Sequence, residues 1–199
     1  MGREFVDLLT FPERGGGGNG TSGLVTIGTE LNYSTIGVCL SRNQAKRIKL
    51  SNPKLELVPV ASRGGGGDAI RFASGRKARK AASNASVDFV IPDCRDAVAG
   101  RFAAENDIPV AYPYVEILEN RGVRRSSIIR DWRLMHRRLS KGGCREFVVS
   151  GARDPYLLRD PMDVASLAHS CLHIPYEEAM DWISIVPSSI IDTAKGRES

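Results

Sequence analysis

The side chains in this sequence with the most evident chemistry are arginines. Arg130, Arg133, Arg137 and Lys141 recur at intervals of three and four, and at about 100° per residue they share one face of a helix, opposite Trp132. No carboxylate stands among them, whereas a plainly solvated helix face mixes Glu with Lys to gain i,i+4 pairs. Such a row suits phosphate groups, because a guanidinium offers a fork of donors that matches phosphate oxygens. Arg124 and Arg125 lie near the start of the same helix, where the macrodipole disfavours cations, so a ligand is expected for them as well. Arg76 and Lys77 open a second basic cluster, and Arg42, Lys46 and Arg47 belong to a third basic segment.

Other chemistries find less support. His169 and His173 are spaced to share a metal, but no further ligands lie nearby in sequence, and two buried or half-buried histidines are the expected reading. His136 sits on the basic helix, with no special role expected. No nucleophile elbow is present. Cys39, Cys94, Cys144 and Cys171 form no paired motif, which argues against a zinc ribbon or a disulfide scaffold and for small buried hydrophobes in a reducing compartment. The glycine runs at 15–18 and 64–67 lack the Lys and Ser or Thr of a phosphate loop and read as flexible connections.

The elements that must carry these residues alternate. Strands are expected over 3–9, 35–40, 55–61, 68–73, 87–91, 109–118 and 147–150. Helices are expected over 22–32, 43–49, 75–84, 97–106, 123–139, 161–170 and 175–183, the last ended by Pro187. Alternation over the whole chain implies a largely parallel sheet, and about seven units in one domain, 1–199, favour a barrel over an open sheet. The net charge is +5 and unevenly placed, with 11 basic and 2 acidic residues between Arg42 and Lys80, and 9 basic and 1 acidic between Arg121 and Arg145. From Arg153 onward the balance reverses to 4 basic and 8 acidic. A segregated basic surface points to a polyanion, most simply nucleic acid. No apolar run approaches the roughly 20 residues of a membrane span, and no secretory leader is seen, so a cytoplasmic location is expected.

The stretch RGVRRSSIIRDWRLMHRRL from Arg121, the stretch FVVSGARDPYLLRDPMDVASLA and the ending YEEAMDWISIVPSSII together resemble the ribonuclease P protein component 3 family. The N-terminal half fits more loosely, through FVDLL and IGTELNYSTIGVCL. The resemblance implies an α/β TIM-like (β/α) barrel of the polymerase-and-histidinol-phosphatase class from which the metal site has been lost. Where that class ends its first strand in a metal-binding His-x-His pair, this chain has Asp7, Leu8 and Leu9. It further implies a subunit of an endoribonuclease holoenzyme that is not catalytic alone. Its partners would be the ribonuclease P RNA, protein component 2, other protein subunits and precursor tRNA. The protein would need no cofactor of its own, magnesium being used by the RNA. On this reading Arg124, Arg125, Arg130, Arg133 and Arg137, then Arg42, Lys46, Arg47, Arg76 and Lys77, contact RNA, while Ser150, Gly151 and Arg159 line the barrel mouth. The competing readings are a free-standing metal-dependent phosphoesterase of the related class and a protein-interaction module without RNA contact.

Overall fold

The computed structural model describes residues 3–11, 19–39, 55–62 and 69–197. Seven strands form one sheet in chain order, every neighbouring pair parallel. They are β1 (Phe5–Thr10), β2 (Tyr33–Cys39), β3 (Glu56–Ser62), β4 (Ile70–Ser74), β5 (Phe89–Ile91), β6 (Val110–Pro113) and β7 (Glu146–Val149). The helices described are α1 (Asn19–Glu30), α2 (Arg76–Ser83), α3 (Ala97–Glu105), α4 (Val115–Glu119), α5 (Gly122–Leu139), α6 (Pro161–Leu172), α7 (Tyr176–Asp181) and α8 (Ile185–Lys195). The expected helix over 43–49 lies outside the described residues.

The sheet curls into a TIM-like barrel that is nearly closed. At the C-terminal ends of the strands β1 meets the chain just after β7 directly. Gly151 N donates to Leu9 O at 2.9 Å, Phe11 N donates to Ala152 O at 2.6 Å, and Thr10 bridges Ala152 in parallel. Lower down, the two strands are joined through an inserted segment. Val6 N donates to Ile183 O (2.9 Å) and Val148 N to Trp182 O (3.4 Å), so the turn between α7 and α8 occupies the gap and satisfies a backbone donor on each lip.

Side chains from non-adjacent strands meet on the concave face. Phe89 of β5 and Phe147 of β7 have ring centroids 5.4 Å apart, although strands two apart in a flat sheet are separated by about 9.6 Å. Phe72 stacks on Phe89 at 5.5 Å, and Phe11 meets Phe72 edge-on at 6.1 Å. On the outer face Tyr112 and Glu146 turn toward α5, whose Trp132, Met135 and Leu139 are buried as its periodicity predicts. β1 and β2 approach closely at Gly37, where an added Cβ would lie 2.3 Å from Leu8 O.

Two expected elements differ. The strand expected over 109–118 ends at Pro113, and Val115–Glu119 is helical. Val115 and Ile117 are buried and Glu116 exposed, so one helical turn mimics strand alternation in sequence. The helix expected over 175–183 runs Tyr176–Asp181, but Pro187, expected to end it, lies instead in the first turn of α8, which begins at Ile185. Proline is tolerated there because first-turn N–H groups lack intrahelical partners in any case.

Candidate nucleic-acid interface

The barrel geometry sorts the cations of α5 along its length. His136 reaches Glu146, the first residue of β7, at 3.0 Å. A strand rises about 3.3 Å per residue and a helix about 1.5 Å. The level of Val149 is therefore reached about seven residues earlier on α5, near Ile129, and the first turn of α5 overhangs the strand ends by about 10 Å. Arg121 and Arg124 stand exposed on this overhang, and neither has an ion pair or side-chain hydrogen bond among the described residues. Arg137, exposed and equally without a partner there, points from the other end of the helix.

The row of cations expected along α5 is interrupted. Arg133 is half-buried and donates through Nε to Cys171 O and through Nη2 to Ser170 O, tying α5 to the last turn of α6. Four carbonyls at a helix end lack intrahelical partners, and this guanidinium serves that need. Arg125 Nε donates to Asn120 O at 2.7 Å and fixes the turn entering α5. Arg130 contacts Ser127 Oγ at 3.0 Å and Asp131 Oδ1 at 3.3 Å. Asp131 is the carboxylate that the helical-row argument leaves out. It also receives Arg95 Nε at 2.9 Å, and the Arg95 hydrogen bond, followed by that of Arg130, holds its carboxyl below the usual range.

Arg76 and Lys77 are exposed in the first turn of α2 without partners among the described residues, whereas Arg79 is held by Asp96 through two hydrogen bonds of 3.0 and 2.8 Å. Arg42, Lys46 and Arg47 lie outside the described residues. Ser150 and Gly151 follow β7 and close the seam with β1, while Arg159 is held by Tyr33 and Tyr114 through its backbone. Ser150 is fully buried; its N donates to Asp7 Oδ1 at 2.9 Å and its Oγ to Leu9 O at 2.9 Å. Gly151 sits at φ +65° between Pro113 and Val115, and Arg159 N donates to Tyr114 Oη at 3.1 Å.

The histidines depart from expectation. His169 and His173 are exposed at the end of α6, where His169 Nδ1 lies 2.7 Å from Ile174 O and His173 takes a left-handed conformation that ends the helix. His136, for which no role is expected, belongs to a closed network. Its Nδ1 and Tyr112 Oη (2.5 Å) occupy the two oxygens of buried Glu146, with Trp182 edge-on to the imidazole. The Glu146 hydrogen bond raises the His136 pKa against the opposing effect of burial. Burial pushes the Cys94 and Cys144 thiols up to about 12, which removes them as thiolate nucleophiles. Among the described residues no group of three His, Cys, Asp or Glu is placed to hold a metal, and no helix is long and apolar enough to cross a membrane.

The fold and its surface thus define a TIM-like α/β barrel, with seven parallel strands among the described residues, that presents arginines without a partner among those residues at the strand C-termini. Its resemblance to ribonuclease P protein component 3 is borne out by comparison. The protein of that name from Methanosarcina barkeri (strain Fusaro / DSM 804) is 32% identical over 94 residues, which span 47% of this chain and 39% of the relative. A chain in the cryo-EM structure of archaeal ribonuclease P with mature tRNA superposes with a TM-score of 0.73 at 13% identity, covering 95% of this chain and 90% of that one. A crystal structure of an uncharacterized protein gives 0.61 at 8% identity, covering 96% and 74%. No family model matches the chain.

Proposed function

We propose that this chain is a protein subunit of ribonuclease P of the component 3 type. In this role it supports RNA-catalysed removal of the 5′ leader from precursor tRNA by binding and stabilising the catalytic domain of the RNA subunit. The carrying observation is the coincidence of two independent likenesses, in sequence to a component 3 protein and in fold, over nearly the whole chain, to a chain of an archaeal ribonuclease P. The surface chemistry agrees. Arginines without local partners among the described residues suit phosphate neutralisation. The subunit acts beside protein component 2 and the other protein subunits, in the cytoplasm, and the magnesium belongs to the RNA.

The test is reconstitution. Cleavage of precursor tRNA by the cognate RNA at low magnesium is expected to rise when this chain and component 2 are added together, and the chain alone is expected to cleave nothing. Magnesium-dependent cleavage by RNA-free protein would overturn the proposal, as would full activity of an assembly lacking this chain.

A further inference from the structure

The two ends of the barrel treat their cations differently. At the floor, where the strands begin, Arg3 pairs with Glu177 at 2.9 Å, Arg145 with Asp107 at 3.1 Å and Lys195 with Glu56 at 3.1 Å, and Arg197 pairs with Asp88. The floor cations without an ion pair among the described residues, Lys80, Arg137, Arg138 and Lys141, lie in the last turns of α2 and α5 and in the 3-10 turn that directly follows α5, where the negative end of the macrodipole favours positive charge. Each floor cation therefore has local compensation. At the rim, where the strands end, Arg76 and Lys77 stand in the first turn of α2, and Arg121 and Arg124 at the start of α5. Neither helix has an acidic residue in its first turn or a side-chain cap. These four cations oppose the helix dipoles and have no carboxylate partner among the described residues. Two rim carboxylates are already engaged, Asp96 by Arg79 and Asp131 by Arg95 and Arg130.

We propose that these rim cations form two phosphate-holding posts, one on α2 and one on the α5 overhang, which seat the phosphodiester backbone of RNA across the strand C-termini, and that the floor does not bind RNA. The inference rests on the RNA-subunit reading and narrows it to one end of the barrel. Partner-free charge held against a dipole is stabilised by a polyanion, and the compensated floor gains less from one. Asp93 and Glu116 lie between the posts, close enough for the Asp93 charge to raise the Glu116 pKa further, after the larger effect of partial desolvation by neighbouring groups. Their charge keeps the backbone off the gap, so the RNA is held at two places rather than along one continuous row. Arg125, Arg130 and Arg133 have internal duties and contribute less.

The experiment compares two triple variants that remove equal charge, Arg76→Gln/Arg121→Gln/Arg124→Gln at the rim and Arg137→Gln/Arg138→Gln/Lys141→Gln at the floor. Binding of the full chain to a transcript of the cognate ribonuclease P RNA is titrated over a salt series. The rim variant is expected to bind about tenfold or more weakly and to flatten the slope of log K against log salt by up to about 0.9 for each phosphate it no longer neutralises. The floor variant is expected to stay within about twofold of the parent, and both should remain folded, their melting shifted only by the small helix-dipole contribution of each charge, since none of the six has a side-chain partner among the described residues. Equal weakening at both ends, or weakening at the floor alone, overturns the two-post surface while leaving the subunit reading intact. A parent chain that does not bind the transcript, alone or with component 2, sinks the subunit reading and the posts with it. A rim variant that keeps RNA affinity but no longer joins component 2 assigns the rim to protein and overturns the proposal.

Discussion

Two buried carboxylates, one on each strand of the barrel seam, are held in opposite ways. Glu146 on β7 is 3% exposed and has a side-chain partner on each oxygen, Tyr112 Oη from β6 and His136 Nδ1 from α5. Asp7 on β1 is 2% exposed. One of its oxygens takes two backbone donors, Ser150 N at 2.9 Å and Leu9 N at 3.3 Å, and the other has no partner among the described residues. Glu146 welds a helix to the sheet through groups that lose their own partner if it is removed. Asp7 only pins the lips of the seam, and burial raises its pKa to about 6 despite the Ser150 and Leu9 hydrogen bonds. Partner completeness, rather than depth, therefore decides which carboxylate the fold depends on.

The largest effect should come from breaking the complete site. Glu146→Ala leaves the Tyr112 hydroxyl and the His136 ring without an acceptor beside Trp132 and Trp182. Removing one member of a buried, hydrogen-bonded pair costs about 3–5 kcal/mol, which for a domain of this size lowers Tm by roughly 10 °C. Thermal or urea unfolding checks it. A destabilisation no greater than that of Asp7→Ala would remove the contrast between the two carboxylates.

This contrast is only half visible in the sequence. The strand–helix alternation, the buried face of α5 around Trp132 and the barrel itself follow from apolar periodicity, which is a local property. The row of cations on α5 follows from the same periodicity and is correct as helical placement. It misleads at Arg133, because the carbonyls of Ser170 and Cys171 that engage this guanidinium come from a helix about forty residues downstream in the chain. Glu146, ten residues after His136, carries no local mark of their pairing, since a one-residue rotation of β7 would aim it elsewhere. The seam duties of Ser150 and Gly151 are equally non-local, and only the Ser-Gly-Ala phrase at positions 150–152 marks them. Arg121 owes its place at the rim to the overhang of α5 beyond β7, a relation between two elements that neither one's sequence encodes.

Relieving the incomplete site should do the reverse and stabilise. The Asp7 pKa is about 6 in the folded chain against an ordinary 3.8, so the folded state holds the proton more tightly than the unfolded one. The resulting stability is complete below the ordinary value and is lost as pH rises from about 4 to about 6, by on the order of 3 kcal/mol. Asp7→Asn keeps an acceptor for Ser150 N and Leu9 N and abolishes the charge, though its amide N–H group takes over the unpaired position at a cost of about 1–3 kcal/mol. A net gain of about 1 kcal/mol at pH 8 and a flat stability profile between pH 4 and 6 are expected from urea titrations in a pH series. A variant that keeps the parent's slope there would mean that another group titrates at the seam.

The smallest effect sharpens the comparison by separating the two sites on the pH axis. The hydrogen bond to Glu146 raises the folded His136 pKa above its ordinary 6.5, so its protonated form is favoured in the folded state. Stability from this source is fully present below the ordinary histidine value and is lost as pH climbs through the folded one, which places it above the Asp7 window. The ring is only partly screened from solvent, so its share is smaller than that of Asp7. Two descending steps are therefore expected in the stability of the parent chain, the lower and larger from Asp7, the upper and smaller from His136. His136→Gln retains a donor for Glu146 but cannot titrate, so it should erase the upper step and leave the lower one. Asp7→Asn should do the opposite, and the double variant should show neither, because the two groups sit on separate networks and distant effects add. If His136→Gln also shifts the lower step, the seam and the α5 network are coupled, and the Trp182–Ile183 insert, which touches both, is the element that couples them.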